Sequence, residues 1–210
     1  ANSKLYTTET SITQKGATLE VPISEFLAAE VGDTQYRLTG VIDSIANTKY
    51  GNVYIKDFSG EAYVYGIQDY ESKNLKVGDI ITIVGKRAAY KDAPQVGGAV
   101  LEKSIPVTEA TVAEVLTKPD SSTDYYMVTG EITMIENPTY GNVYLKDGDS
   151  EIYVYGVYPG FGATGDFRKN LLAEKDIKVG DQLTVIGTKS SYKDVPQLTN
   201  GIYFSHESAE

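Results

Sequence analysis

The segment Lys49-Tyr-Gly-Asn-Val-Tyr-Ile-Lys-Asp57, followed by Glu61-Ala-Tyr-Val-Tyr-Gly66, decides the reading of this chain. It recurs as Thr139-Tyr-Gly-Asn-Val-Tyr-Leu-Lys-Asp147 and Glu151-Ile-Tyr-Val-Tyr-Gly156. Tyr36-Arg-Leu-Thr-Gly40 likewise returns as Tyr126-Met-Val-Thr-Gly130, and 18 of the 31 positions from 36 to 66 are identical at an offset of 90. Lys76-Val-Gly-Asp79 and Tyr90-Lys-Asp-Ala-Pro-Gln95 return at 178–181 and 192–197, now at an offset of 102. The second copy therefore carries 12 extra residues after Gly156. Such self-similarity marks a duplicated structural unit.

Each copy reads as β-structure. Tyr36 to Ala46 forms one long strand, and Gly51-Asn52 marks a turn. Val53 to Asp57 and Glu61 to Gly66 alternate with period two around a tight Asp57-Phe-Ser-Gly60 turn, a hairpin signal. A helical turn is expected within Gln68 to Leu75, then strands over Ile80 to Lys86 and Val96 to Ser104. A short helix is expected ahead of each copy, from the lead-ins Pro22–Val31 and Pro106–Val115, which we match by their prolines. The second contains Thr111-Val-Ala-Glu114, a capping-box spacing. The expected division is an N-terminal segment 1–20, module 1 at 21–105, and module 2 at 106–210 with an insertion at about 158–172.

The order of five strands, with Thr-Gly-x-Ile, Tyr-x-Lys-Asp, Tyr-Val-Tyr-Gly and Val-Gly-Asp at these spacings, resembles bacterial OB-fold modules. The resemblance covers residues 36–105 and 126–205. It implies an all-β chain of two tandem five-stranded Greek-key barrels. OB-folds take oligonucleotides or oligosaccharides on the strand 2–3 face and its flanking loops. The relatives this resemblance implies are multi-domain secreted or cell-surface proteins, so other domains of a longer parent chain are expected partners. Ser11-Ile-Thr-Gln-Lys-Gly16 is similar to the closing strand of an Ig-like module of the BACON type. An extended arm packed on module 1 is the alternative for residues 1–20.

Composition limits the chemistry. There is no Cys and a single His, His206, so thiolate and His-rich metal sites are excluded. The net charge is −10, and residues 106–210 carry eight Lys/Arg against sixteen Asp/Glu. No basic run is present, which weighs against tight binding of phosphate backbones. No apolar run approaches 18 residues, so no membrane insertion is expected. No residue pattern singles out a catalytic group, and the chain reads as a binder without cofactor, not an enzyme.

Alternation sorts the faces. Val53, Ile55, Ala62 and Val64 point inward, with Val143, Leu145, Ile152 and Val154 in copy 2. The outer face then holds Tyr54, Lys56, Tyr63 and Tyr65, repeated as Tyr144, Lys146, Tyr153 and Tyr155. The strand 4–5 loop adds Tyr90 and Lys91, and Tyr192 and Lys193, with Gln95 as a further hydrogen-bonding group. Tyr rings stack on bases or sugar rings, so these twelve Tyr and Lys residues are the candidate site for an oligosaccharide or single-stranded nucleic acid. The copy 2 charge favours the uncharged ligand. The competing reading is structural: Tyr pairs well across strands, the faces could pack against the lead-in helix or the other module, and the loop could be a Pro-shaped turn. The chain would then be a spacer or protein-interaction module. Two further features carry readings of their own. Asp147, Asp149 and Glu151 have the spacing of a calcium loop but lack the rest of one. In the insertion, Phe161 and Phe167 are expected to plug a barrel end, and Asn170 to Lys175 to form a short helix.

Overall fold

Period-two alternation and β-branched content make the repeat a sheet, and the computed structural model closes each copy into a barrel. Residues 16–210 are described. The BACON-like or arm reading of the N-terminus falls mostly on residues 1–15, outside them. The described residues divide into two compact units between Ser104 and Ile105.

Module 1 comprises β1 (Leu19–Glu20), α1 (Ile23–Ala28), β2 (Gln35–Asn47), β3 (Asn52–Asp57), β4 (Gly60–Val64), β5 (Ile80–Tyr90) and β6 (Ala93–Ile105), with a 3-10 turn at Tyr70–Ser72. Module 2 comprises β7 (Val107–Glu109), α2 (Val112–Leu116), β8 (Tyr125–Asn137), β9 (Asn142–Asp147), β10 (Ser150–Tyr158), α3 (Leu171–Glu174), β11 (Gln182–Tyr192) and β12 (Val195–Glu207). The order around the first barrel is β2-β3-β4-β6-β5, and β5 pairs back onto β2. In the second it is β8-β9-β10-β12-β11, closed by β11 on β8. One pairing in each, β4–β6 and β10–β12, is parallel and the closing pair is antiparallel. These are two tandem OB-fold barrels, as the repeat predicts.

Closure needs the long first strand to bend. Register shifts interrupt β2 between Ile42 and Ser44 and between Ile45 and Asn47, and β8 at the matching places. The glycine of Thr-Gly-x-Ile serves the same bend: a Cβ on Gly40 would lie 2.8 Å from the Lys56 carbonyl oxygen. The Val-Gly-Asp turn fastens the fourth strand to this bend. Gly78 N–H donates to Ile42 O at 2.8 Å, and Ile42 N–H to Asp79 O at 2.9 Å. The buried Asp79 side chain accepts from Lys76 N–H at 3.1 Å.

The inward residues of both repeats, Val53, Ile55, Ala62, Val64, Val143, Leu145, Ile152 and Val154, are all buried. Each helix closes one end of its barrel, through Ile23 and Phe26 in module 1 and Val112 and Val115 in module 2. The hairpin turn caps that helix: Asp57 Oδ2 accepts from Ile23 N–H at 3.0 Å and Asp147 Oδ2 from Val112 N–H at 3.3 Å. Thr111 and Glu114 form the predicted capping box.

Several expectations are corrected. The lead-ins do not match by their prolines. Ile23 corresponds to Val112, so Pro22 stands where Thr111 stands, and Pro106 precedes β7. The sequence reading also missed β1 and β7, which pair in parallel with β2 and β8; two or three residues are too few to show a period. The strand 4–5 loop is not shaped by proline. Lys91 and Asp92 both have positive φ (47° and 65°), as do Lys193 and Asp194 (48° and 64°). This is the backbone that two-residue hairpins use. Pro196 lies inside β12 opposite Ser191, so the hairpins run longer than predicted. Finally, Phe167 does not plug the barrel; it is 64% exposed, while Leu171, Leu172 and Ile177 enter the core.

Candidate ligand-binding faces

In module 2 the fold draws two separate sequence signals together. β9 and β10 pair so that Tyr144 stands opposite Tyr153, with ring centroids 5.0 Å apart. Tyr155 lies two residues along the same face, 6.4 Å from Tyr153 between centroids. The β11–β12 hairpin rises beside β10 because β12 pairs with it in parallel, Gln197 facing Tyr153. Its tip brings Tyr192 and Lys193 over that face. The result is a groove of about 820 Å³ lined by Leu116, Glu136, Tyr144, Glu151, Tyr153, Tyr155, Tyr192, Lys193, Val195, Pro196 and Gln197. Five of the six module 2 candidates therefore share one groove. Lys146, also on the outer face, is exposed beside it but does not line it.

The groove is aromatic and weakly acidic. Tyr155 and Tyr192 are 57% and 64% exposed, so their rings are available to a ligand. Tyr153 is half-buried; its hydroxyl accepts from Asn142 Nδ2 at 3.0 Å. Burial, followed by the neighbouring Glu136 carboxylate, pushes its phenol up to about 12. Tyr153 is thus an uncharged hydrogen-bonding wall at any physiological pH. Glu151 Oε2 accepts from Thr133 Oγ1 at 2.8 Å. Lys193 sits 5.4 Å from the Tyr192 ring centroid and is the sole cation among the described residues of the lining.

Module 1 presents the same residues differently. Tyr54 and Tyr63 pair at 4.9 Å between centroids. Lys56 is held by Asp43 at 2.8 Å, so this candidate is committed to an ion pair. Glu61, opposite Lys56 across the hairpin, has its carboxyl pushed up by burial and by the hydrogen bond and charge of Asp43. In module 2 Thr133 replaces Asp43, which leaves Lys146 exposed. Tyr90 and Lys91 occupy the hairpin tip, exposed as in module 2. Tyr65, 61% exposed, lines a different hollow of about 490 Å³ with Tyr50.

The lead-in helices turn Ile23 and Phe26, and Val112 and Val115, into the cores, while Leu116 at the end of α2 borders the module 2 groove. The three carboxylates with calcium-loop spacing are not brought together. Asp147 caps α2 and Glu151 faces Thr133. Among the described residues no group of His, Cys, Asp and Glu is placed to hold a metal. The sequence reading missed Leu116, Glu136, Val195 and Pro196. Pro196 was visible in the Tyr-Lys-Asp-x-Pro-Gln repeat, but its position on the ligand side follows only from the parallel β10–β12 pairing.

No known family model matches the chain, and no curated protein matches it. Among solved structures, it is similar to a murine DNA-binding protein bound to double-stranded DNA (10% identity, covering 79% of this chain and 90% of that one, TM-score 0.36). It is also similar to fission yeast Pot1 with single-stranded DNA (10%, 89% and 86%, TM-score 0.27). A third is the single-stranded DNA-binding protein from Thermus aquaticus (13%, 87% and 95%, TM-score 0.26). All three TM-scores lie below 0.5, and the assignment of both barrels as OB-folds rests on their strand order and closure.

Proposed function

We propose that this chain is a non-catalytic binding protein whose ligand is an oligosaccharide held in the module 2 groove. One observation carries the reading: Tyr144, Tyr153, Tyr155 and Tyr192, from two parts of the sequence, converge on one open groove of the size ligand sites have. Flat rings with polar tips suit sugar units, which offer an apolar face and a hydroxyl rim. Glu136, Glu151 and Gln197 supply hydrogen-bonding groups for that rim. Two carboxylates against one lysine oppose a polyphosphate and leave a neutral ligand unpenalised. The secreted or cell-surface setting implied by the bacterial OB-fold resemblance suits such a ligand.

A second reading, single-stranded nucleic acid, is favoured by the groove's position on the β9–β10 face, where OB-folds take oligonucleotides. Stacked bases would contribute about 1–3 kcal/mol each. Lys193 in the groove and Lys146 beside it would meet the phosphates.

A glycan array followed by calorimetry, in parallel with titration of oligo-dT, tests both. Glycan binding insensitive to salt, and weakened about tenfold or more by Tyr192→Ala or Tyr155→Ala with the fold intact, is the expected result. Oligo-dT binding that weakens steeply with salt selects the second reading. No binding of either class at high micromolar concentration leaves the structural-spacer reading.

A further inference from the structure

We propose that module 1 holds a second, independent subsite for one pyranose ring of a neutral glycan, in the hollow between Tyr50 and Tyr65. This deepens the oligosaccharide reading and rests on it. The hollow measures about 490 Å³ and is lined by Tyr50, Asn52, Tyr65 and Gln68 over Gly66, Ile67, Gly98 and Ala99. Tyr50 and Tyr65 are both mostly exposed. Among the described residues no Asp, Glu, Lys or Arg lines it. The polar groups offered are two phenols and two amides, which match hydroxyls and leave a phosphate or a cation uncompensated.

The site is built rather than incidental. Three chain segments are tied together around it: Ile67 N–H donates to Tyr50 O, and Gln68 N–H to Ala99 O, each at 3.0 Å. Gly66 and Gly98 carry no side chain, which leaves the floor and wall open, and both have positive φ (82° and 61°), a backbone that favours glycine.

Module 2 shows what the place accepts. Its equivalent of Gln68 is Tyr158, at the start of the insertion. The Tyr158 ring lies over Gly156, 3.5 Å from where a Cβ would be. Arg168 stacks on that ring at 3.9 Å from its centroid. At Gly66 the nearest atoms are instead the Tyr50 carbonyl oxygen at 3.4 Å and Asn52 Oδ1 at 3.7 Å, with no ring above. Module 2 thus fills with its own six-membered ring the position that module 1 leaves open. Asn142, the counterpart of Asn52, is spent there on Tyr153, whereas the Asn52 amide faces the hollow. The two copies have exchanged sites: module 2 uses the hairpin groove, and module 1 the Tyr50/Tyr65 hollow.

Amide-resolved NMR titration of the full chain with maltohexaose, cellohexaose and mannohexaose, and separately with oligo-dT, tests this. At least one hexaose is expected to shift two separate sets of amides, one around Tyr153 and Tyr192 and one around Gly66, Gln68 and Gly98. Tyr65→Ala should weaken the second set roughly tenfold or more and leave the first unchanged. Gly98→Asn should do the same without loss of fold, because Asn200 holds the matching position in module 2 at φ 55°. Shifts confined to the module 2 groove overturn the subsite alone. No shift with any hexaose overturns the oligosaccharide reading as well. Oligo-dT moving the Gly66 and Gly98 amides overturns the assignment to a sugar.

Discussion

The hairpin tips break a local rule, and correcting them should separate stability from binding. Lys91-Asp92 and Lys193-Asp194 hold φ of 47°, 65°, 48° and 64°, positions that two-residue turns normally give to Asn-Gly. A left-handed backbone costs a residue such as Lys about 1 kcal/mol or more, and Asp somewhat less. Against this stands the stacking of each lysine on its neighbouring tyrosine, 5.4 Å to the centroid in both modules, worth about 0.5–1 kcal/mol at an exposed site. Replacing Lys193-Asp194 by Asn-Gly should therefore stabilise module 2 by about 1 kcal/mol. For a unit of this size that raises Tm by about 5 °C. The change at Lys91-Asp92 should act equally on module 1, since backbone and stacking are the same. Scanning calorimetry of the full chain reads both. Because Lys193 lines the groove and Lys91 does not line the Tyr50/Tyr65 hollow, the module 2 change should also weaken ligand held in the groove. Tm unchanged or lowered in both variants refutes the strain argument. Unequal shifts refute the claim that the two tips are equivalent.

Tyr153 should be among the last tyrosines to ionise, at about pH 12 when followed by its NMR ring signals. Because its folded value lies above the ordinary one near 10, its stabilising contribution is complete below about pH 10 and lost as pH climbs toward 12. Glu136→Gln should lower that midpoint without returning it to the ordinary value, since burial is the larger cause. Asp120 accepts from Lys189 Nζ at 2.5 Å and from Ser191 Oγ at 2.9 Å, and these bonds hold its carboxyl below the usual range. Lys189 is only 6% exposed. Asp120→Asn should thus lower Tm at neutral pH, and the difference from wild type should shrink as pH falls below about 4. A constant gap across pH 2–7 would assign the loss to packing. Leu172→Ala should cost about 2–5 kcal/mol in denaturant melts, whereas Phe167→Ser should stay within about 0.5 kcal/mol. Equal costs would restore Phe167 as the plug.

Much of the fold was legible because the chain repeats itself. Two copies that agree through Val53–Asp57 and Glu61–Gly66 expose the period of two, and that period alone placed Val53, Ile55, Ala62 and Val64 inside. Short elements were not legible. β1 and β7 have too few residues to carry a pattern, and a shared proline misaligned the lead-ins because N-caps at Pro22 and Thr111 are chemically unlike. The strand 4–5 turn was misread for the same kind of reason: Lys-Asp has no sequence signature of a left-handed pair, and the nearby proline drew the assignment.

The sequence by itself determined that there are two β-modules, which residues of strands 2 and 3 face outward, and that the surface is acidic. Those follow from local alternation and from counting, which need no neighbours. Tertiary structure alone decided which outward residues act together. Parallel pairing of β10 with β12 carries Tyr192 and Lys193 to Tyr153 across some 40 residues of chain, while one substitution, Asp43 for Thr133, ties Lys56 into an ion pair. A ring from the insertion, Tyr158, fills in module 2 the place that stands open in module 1. Each depends on side chains distant in sequence and adjacent in space, and no reading along a single strand can bring them together.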